Sequence, residues 1–390
     1  MAAEKILLTV TFLLAWTYVI YPAAVIALAR LKRNRSQPHA EQNEKTPLPS
    51  VTVMMSLHNE EKVIEAKMKS ILESDYPADL IELLVGSDGS SDGTDAKMIL
   101  LAAEDKRIRF IRNPERRGKP AMLNDLAAMA TGEILVVTDA NVMFTPGTLK
   151  SLAEGFSDPL TGLCDATVFP SGTGDEGITR QENMYTSYET ALKRAEGSLW
   201  GAMPGPYGGC YAVRRNLFPT LPGNILVDDL YTGLSVLGQN FRSCNIPDAV
   251  VFEDTQPDIM EQFLRRIRIA TGSFQNLFLF GPFPSRRPGV IFAFISHKIM
   301  RWLAPLLLVL FFMTTVILSA RSDFYFCLTA FQLILIILSA LDLMLYRQGK
   351  RIGYQRYITQ FLLMNAAIAA GFVKAVRGVE KGIWEPTKRV

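Results

Sequence analysis

Apolar residues along the chain gather into runs of two kinds. The short runs, residues 51–56, 83–86, 108–111 and 134–137, have the length of strands. Helical spacing separates them: Val63, Ile64, Met68, Ile71 and Leu72 share one face after the first run, and further helices are predicted around 95–103 and 121–130. Strands that are apolar on both faces belong to parallel sheets covered by helices. The alternation predicts an α/β, Rossmann-like domain, although no G-x-G-x-x-G follows the first strand.

The long runs predict something else. Residues 6–29 carry no charge and, at about 1.5 Å per residue, can cross a hydrocarbon core of about 30 Å. A cleaved signal peptide is the rival reading, but the apolar stretch is too long for one and Glu4 and Lys5 cancel. Residues 302–320 and 324–341 are also uncharged and are separated only by Arg321, Ser322 and Asp323, which predicts a helical hairpin. Arg30, Lys32, Arg33 and Arg35 follow the first span, and Arg286, Arg287, Lys298 and Arg301 precede the second. The positive-inside rule then puts everything between them in the cytoplasm. Residues 357–373 have cationic flanks on both sides, so the rule cannot orient them. They either span or form a re-entrant or interfacial segment, and the second is favoured.

Composition changes this picture little. The net charge of +3 is small for 390 residues, and the basic residues cluster beside the apolar runs, which excludes a nucleic-acid protein and fits topology and headgroup contact. Cys164, Cys210, Cys244 and Cys327 show no paired spacing, so neither disulfides nor a zinc site is expected. His39, His58 and His297 are scattered, which leaves carboxylates as candidate metal ligands. Residues 36–50, with Pro38, Pro47 and Pro49, read as a linker.

Candidate chemistry lies at the ends of the short runs, where open α/β sheets bind ligands. Asp88 follows the second run and Asp139 the fourth. Residues 88–93 have the oxygen spacing of a calcium loop, but Ile99 stands where the bidentate glutamate should be, and a strand precedes the loop. Asp139 and Asn141 can share a hard divalent cation whose shell a diphosphate completes; alone, such a tripeptide is more often a turn. Asp228 and Asp229 are either reactive carboxylates or the acids favoured at a helix start, ahead of Leu230 and Leu234. Met260, Phe263, Leu264 and Ile267 form an apolar helix face, with Gln262, Arg265 and Arg266 on another, which also suits an interfacial helix with snorkelling arginines.

Taken in order, these elements resemble membrane-embedded family 2 glycosyltransferases, similar to processive cellulose, chitin, hyaluronan and poly-N-acetylglucosamine synthases. Residues 56–61, 117–124 and 208–215 resemble that family's nucleotide loop, lysine segment and acceptor strand, and residues 384–389 resemble a C-terminal ending of its membrane members. The resemblance implies a GT-A fold inserted between transmembrane helices. Residues 1–35 would be the first span, 36–257 the catalytic domain, 258–300 interface helices, and 301–390 the hairpin, fourth apolar segment and tail. It implies that Asn59, Glu60, Asp88, Lys119, Asp139, Gln262, Arg265 and Arg266 bind the nucleotide-sugar donor, expected to carry UDP. Asp139 and Asn141 would hold Mg2+ or Mn2+, and Asp229, beside Asp228, would be the general base of an inverting transfer. Arg266 stands where the family usually has tryptophan, a departure that bears on acceptor stacking. The implied setting is the bacterial cytoplasmic membrane, with membrane lipids and a glycan or lipid-linked acceptor as partners. A growing glycan is the favoured acceptor and a single addition to a lipid the alternative. A second copy or a secretion partner would supply a wider channel.

Overall fold

The computed structural model describes residues 1–35, 47–171, 178–253, 258–282, 285–348 and 355–379. Most of the linker and the motif at 384–389 lie outside them. Helix α1 (Ala2–Ala15) passes through a π-helical turn into α2 (Tyr21–Arg35). The domain then alternates β1 (Val51–Leu57), α3 (Ile64–Leu72), β2 (Ile81–Asp88), α4 (Thr94–Glu104), β3 (Ile108–Asn113), α5 (Lys119–Met129) and β4 (Ile134–Thr138). It continues with β5 (Val142–Phe144), α6 (Thr148–Glu154), β6 (Thr161–Pro170), α7 (Ile178–Trp200), β7 (Cys210–Arg214), α8 (Asp228–Gly238) and β8 (Arg242–Glu253). Helices α9 (Ile259–Phe280), α10 (Pro288–Ala293), α11 (Met300–Ser319), α12 (Asp323–Arg347) and α13 (Gln355–Arg377) follow, with a π-helical stretch joining α10 to α11.

The strands form one sheet in the order β3-β2-β1-β4-β7-β6-β8-β5. β1, β2, β3 and β4 are parallel, while β7 is antiparallel to both β4 and β6. Successive side chains of a strand point to opposite faces, and both faces here are covered. Val53, Leu83 and Val136 pack with Ile64, Met68, Ile71 and Met98 on one side, and Met54, Leu84 and Leu135 with Met122, Leu123 and Leu126 on the other. That is why these strands read as unbroken apolar runs. The chain adds β2 and β3 on one side of β1 and then β4 on the other. This reversal opens a crevice beyond the carboxyl ends of β1, β2 and β4, where Asn59, Asp88 and Asp139 lie.

Among the described residues, four helical stretches have the length and composition to cross a membrane: Ala2–Lys32, Pro288–Ser319, Asp323–Tyr346 and Arg356–Arg377. α11 touches α1, α12 and α13, so it occupies the middle of the group. The fourth apolar run is an unbroken helix, α13, lying along α9. A side chain at Gly371 would put its Cβ 2.5 Å from that of Ala270 and 2.9 Å from the Thr271 nitrogen, so glycine sets this close approach.

The basic residues before the second span do not serve lipid headgroups as expected. Helix runs from Pro288 onward, so Lys298 and Arg301 lie within it, and both pair with Glu189 of α7, at 2.9 and 2.8 Å. His297 is wholly buried with Nδ1 2.9 Å from Glu196 and Nε2 3.0 Å from Glu189. The Tyr21 hydroxyl donates to Glu196 at 2.7 Å. Arg287 donates to the carbonyls of Trp200 and Phe241. These charges join the apolar helices to the domain.

Candidate active site

Asp88 ends β2 and is buried, where an unpaired carboxylate would be costly. Its oxygens accept the backbone N–H groups of Arg117 and Gly118, each at 2.7 Å, just ahead of α5. A carboxylate at a helix N-terminus is favoured by the free N–H groups and the dipole there. Gly118 adopts φ +94°, a conformation side chains disfavour. The pairing presents the first residue of α5, Lys119, to the crevice. Asn59, also at positive φ, accepts from the Ser91 N–H at 2.8 Å, and the Glu60 N–H donates to Thr94. Both residues thus tie the loop after β1 to the loop after β2.

Lys119 is the centre of the site. Its Nζ is 2.9 Å from Asp139 Oδ1 and 3.5 Å from Asp228 Oδ2. The second distance is an ion pair rather than a hydrogen bond, and Asp228 Oδ2 is buried with no hydrogen-bond donor. Burial works against the Lys119 charge, but Asp139, Asp228 and Asp229 outweigh it and hold the ammonium above the usual lysine range. Asp228 and Asp229 open α8, as acids at a helix start should. Burial and the neighbouring Asp228 push Asp229 up to about 7, against the pull of Lys119. Its carboxylate lies against the backbone at Gly208. Asp139 keeps a side chain 40% exposed, and Asn141 closes the turn between β4 and β5. The structure therefore brings Lys119, Asp139, Asp228 and Asp229 together.

The arginine helix, α9, contributes from the side of the apolar helices. Arg265 pairs with Glu253 at 3.1 Å, and Glu253 also accepts the Tyr207 hydroxyl. Gln262 is buried and accepts from Gln360 of α13 at 3.4 Å, so it also fastens the helix, while Arg266 is half-buried on the same helix. Three residues were not singled out from the sequence: Tyr207, Glu253 and Arg268. Burial and nearby Arg265 push Arg268 down to about 10, while Asp139, Asp228 and Asp229 support its charge. Its spacing of three from Arg265 was the available signal.

The donor set suits a hard divalent cation shared with a substrate. Asp139 offers an accessible carboxylate, Asn141 lies two residues further along the same turn, and three carboxylates lie around Lys119. Among the described residues no group of three His, Cys, Asp or Glu forms a complete protein cage, so substrate oxygens would have to finish the shell.

The model for Glycosyl transferase family 2 matches residues 52–221, from β1 to just before α8. Over these residues the chain is similar to family 2 glycosyltransferases. An N-acetylglucosaminyltransferase of Rhizobium meliloti (strain 1021) is 26% identical over 254 residues, covering 62% of this chain. A beta-monoglucosyldiacylglycerol synthase of Trichormus variabilis is 30% identical over 197 residues, covering 49% of it. The chain spans 59% and 42% of those two proteins' own lengths. A mannosyltransferase of Pyrobaculum calidifontis, solved in complex with GDP-Man and Mn2+, superposes with a TM-score of 0.71 at 25% identity, covering 96% of this chain and 99% of that one. The sheet and its helices therefore have the α/β GT-A fold, and the likeness in shape extends to the apolar helices.

Proposed function

We propose that this glycosyltransferase moves one sugar, with inversion, from a nucleoside-diphosphate sugar to a hydroxyl of an acceptor held at the membrane surface. The observation that carries the reading is Asp229, a carboxylate raised to about 7 inside an acidic cluster with Lys119. A general base works best with a pKa near the operating pH. Asp229 takes the proton from the acceptor hydroxyl, and Asp228 keeps that carboxylate basic. Lys119 holds Asp139 and Asp228 beside it. Asp139 and Asn141 hold Mg2+ or Mn2+, which when bound neutralises charge on the departing diphosphate. Arg265 and Arg268 supply further positive charge from α9. Asp88, Asn59 and Glu60 shape the nucleotide pocket. The expected uridine donor is to be tested beside the guanosine donor held by the Pyrobaculum protein.

Two features support a membrane-borne acceptor. Leu230 and Leu234, directly after Asp229, pack on Phe294 and beside Trp302 of the second apolar segment. α11 touches α1, α12 and α13, and a helix group built around one central helix favours single addition over export of a growing chain through it. The domain is then read as facing the cytoplasm, from Arg30, Lys32, Arg33 and Arg35 after the first span.

The test is product sizing. Purified protein in lipid vesicles receives UDP- and GDP-linked sugars with a lipid extract as acceptor, with and without chelator. One sugar on an organic-soluble product, made only with a divalent ion, is expected. A ladder of water-soluble products would replace this reading with a polysaccharide synthase. Full activity in chelator would remove the metal.

A further inference from the structure

Lys67 lies on α3, an element that supplies none of the groups assigned above. Its side chain is wholly buried, and among the described residues its ammonium forms no salt bridge. Such a charge is costly to bury, and a methionine would fill similar space without that penalty. Burial pushes its pKa down to about 7.

Its contacts give a reason for the amine. Nζ donates to Thr138 Oγ1 at 2.9 Å and to the Val142 carbonyl, and stands 3.8 Å from the centroid of the Phe144 ring. Thr138 is the last residue of β4 and Val142 the first of β5. One ammonium therefore pins both ends of the turn Asp139-Ala140-Asn141. The link continues, because the Thr138 hydroxyl donates to the Gly209 carbonyl at 3.0 Å, and the Asp139 N–H donates to the same carbonyl at 3.0 Å. Gly209 adjoins Gly208, against which the Asp229 carboxylate rests. A single side chain from outside the crevice thus ties the Asp139 turn to the turn beneath Asp229.

We propose that Lys67 is a positioning residue for the divalent cation. It fixes the turn so that Asp139 and Asn141 present their oxygens to one ion, and through Thr138 and Gly209 it sets that ion's station relative to Asp229. The amine, unlike an apolar residue of equal volume, bonds to a hydroxyl and a carbonyl four residues apart and holds the turn closed. This inference rests on the metal reading above.

The experiment is Mn2+ binding to the full chain, followed by electron paramagnetic resonance with UDP or GDP present, in wild type and Lys67→Met. Supporting groups around a metal site are worth about 10- to 100-fold in affinity. Lys67→Met should weaken Mn2+ binding by about that factor and raise the metal concentration for half-maximal turnover in parallel. Saturating metal should restore kcat, and the thermal midpoint should stay level or rise. A merely structural lysine would lower the midpoint and leave Mn2+ affinity unmoved. Wild type that binds Mn2+ and a Lys67→Met protein that binds it equally well would overturn the proposal. Wild type that binds no Mn2+ would overturn the metal reading and this proposal with it. If Lys67→Met does not fold, Thr138→Val removes the middle link and should weaken Mn2+ in the same direction; unchanged affinity there overturns the proposal too.

Discussion

Two buried clusters of mixed charge, one around His297 and one around Lys119, are built on opposite terms. Around His297 every charge is answered: Glu189 receives His297, Lys298 and Arg301, and Glu196 receives His297 and Tyr21. Around Lys119 the account does not close. Lys119 pairs with both Asp139 and Asp228, Asp228 Oδ2 lacks a hydrogen bond, and Asp229 is driven toward neutrality despite the nearby cations. Satisfied polar groups rigidify a junction, whereas unsatisfied ones persist where a ligand completes them. The first cluster is the joint between domain and apolar helices. The second has the electrostatic deficit that a cation and a diphosphate sugar would fill.

The sharpest way to break this comparison is Asp229→Asn. Turnover should fall by about 10²- to 10⁴-fold with donor binding nearly unchanged. The thermal midpoint above pH 7 should hold or rise, because a repelled charge is removed. Near-normal turnover would dissolve the distinction between the clusters. Arg265→Ala should follow with a loss of about 10- to 100-fold in kcat/KM, consistent with a charge-assisted contact to phosphate; nucleotide release by a fully active variant would take Arg265 out of the site.

The pH profile gives a graded test. A base must be deprotonated to act, so kcat/KM should rise with pH through about 7, and Asp228→Asn should move that midpoint down. The sign for stability is opposite. The folded state holds the Asp229 proton up to about 7 while the unfolded chain releases it near the ordinary value of 3.8, so this group's contribution to stability declines as pH rises between them. His297→Leu should do the reverse of Asp229→Asn. Its thermal midpoint should drop, as when one partner of a buried pair worth about 3–5 kcal/mol is removed, with kcat within about threefold of wild type in the remaining folded protein. The smallest effect belongs to Arg266→Trp, which should keep activity and the one-sugar product; inactivity of a folded, donor-binding variant would show that position 266 has a charge-dependent role.

The parallel half of the sheet was legible because both its faces are buried. Residues 51–56, 83–86, 108–111 and 134–137 all lie within observed strands, and the acids just after two of them mark the crevice. The antiparallel half was not. β8 contains Arg242, Asn245, Pro247 and Asp248, and its exposed positions break any apolar run. Its final residue, Glu253, was therefore invisible as a partner of Arg265. Lys67 was hidden for a different reason. In sequence a lysine amid Val63, Ile64, Met68 and Ile71 reads as the wet side of an amphipathic helix, and only the fold reveals that β4 and β5 close over it. Arg268 lies beyond the Arg265-Arg266 pair on which the family resemblance rests, so the motif does not reach it.

Gly371 sits in an apolar helix with no reactive group near it, yet it sets how closely α13 approaches α9, and α9 carries Gln262, Arg265 and Arg268. The missing side chain acts as a machinist's shim of zero thickness. Replacing it with leucine would displace the arginine helix by a methyl group or more and would show in the assay as a lesion of chemistry. A map of sensitive positions drawn from activity alone would then place a residue buried between two helices among the candidate phosphate ligands.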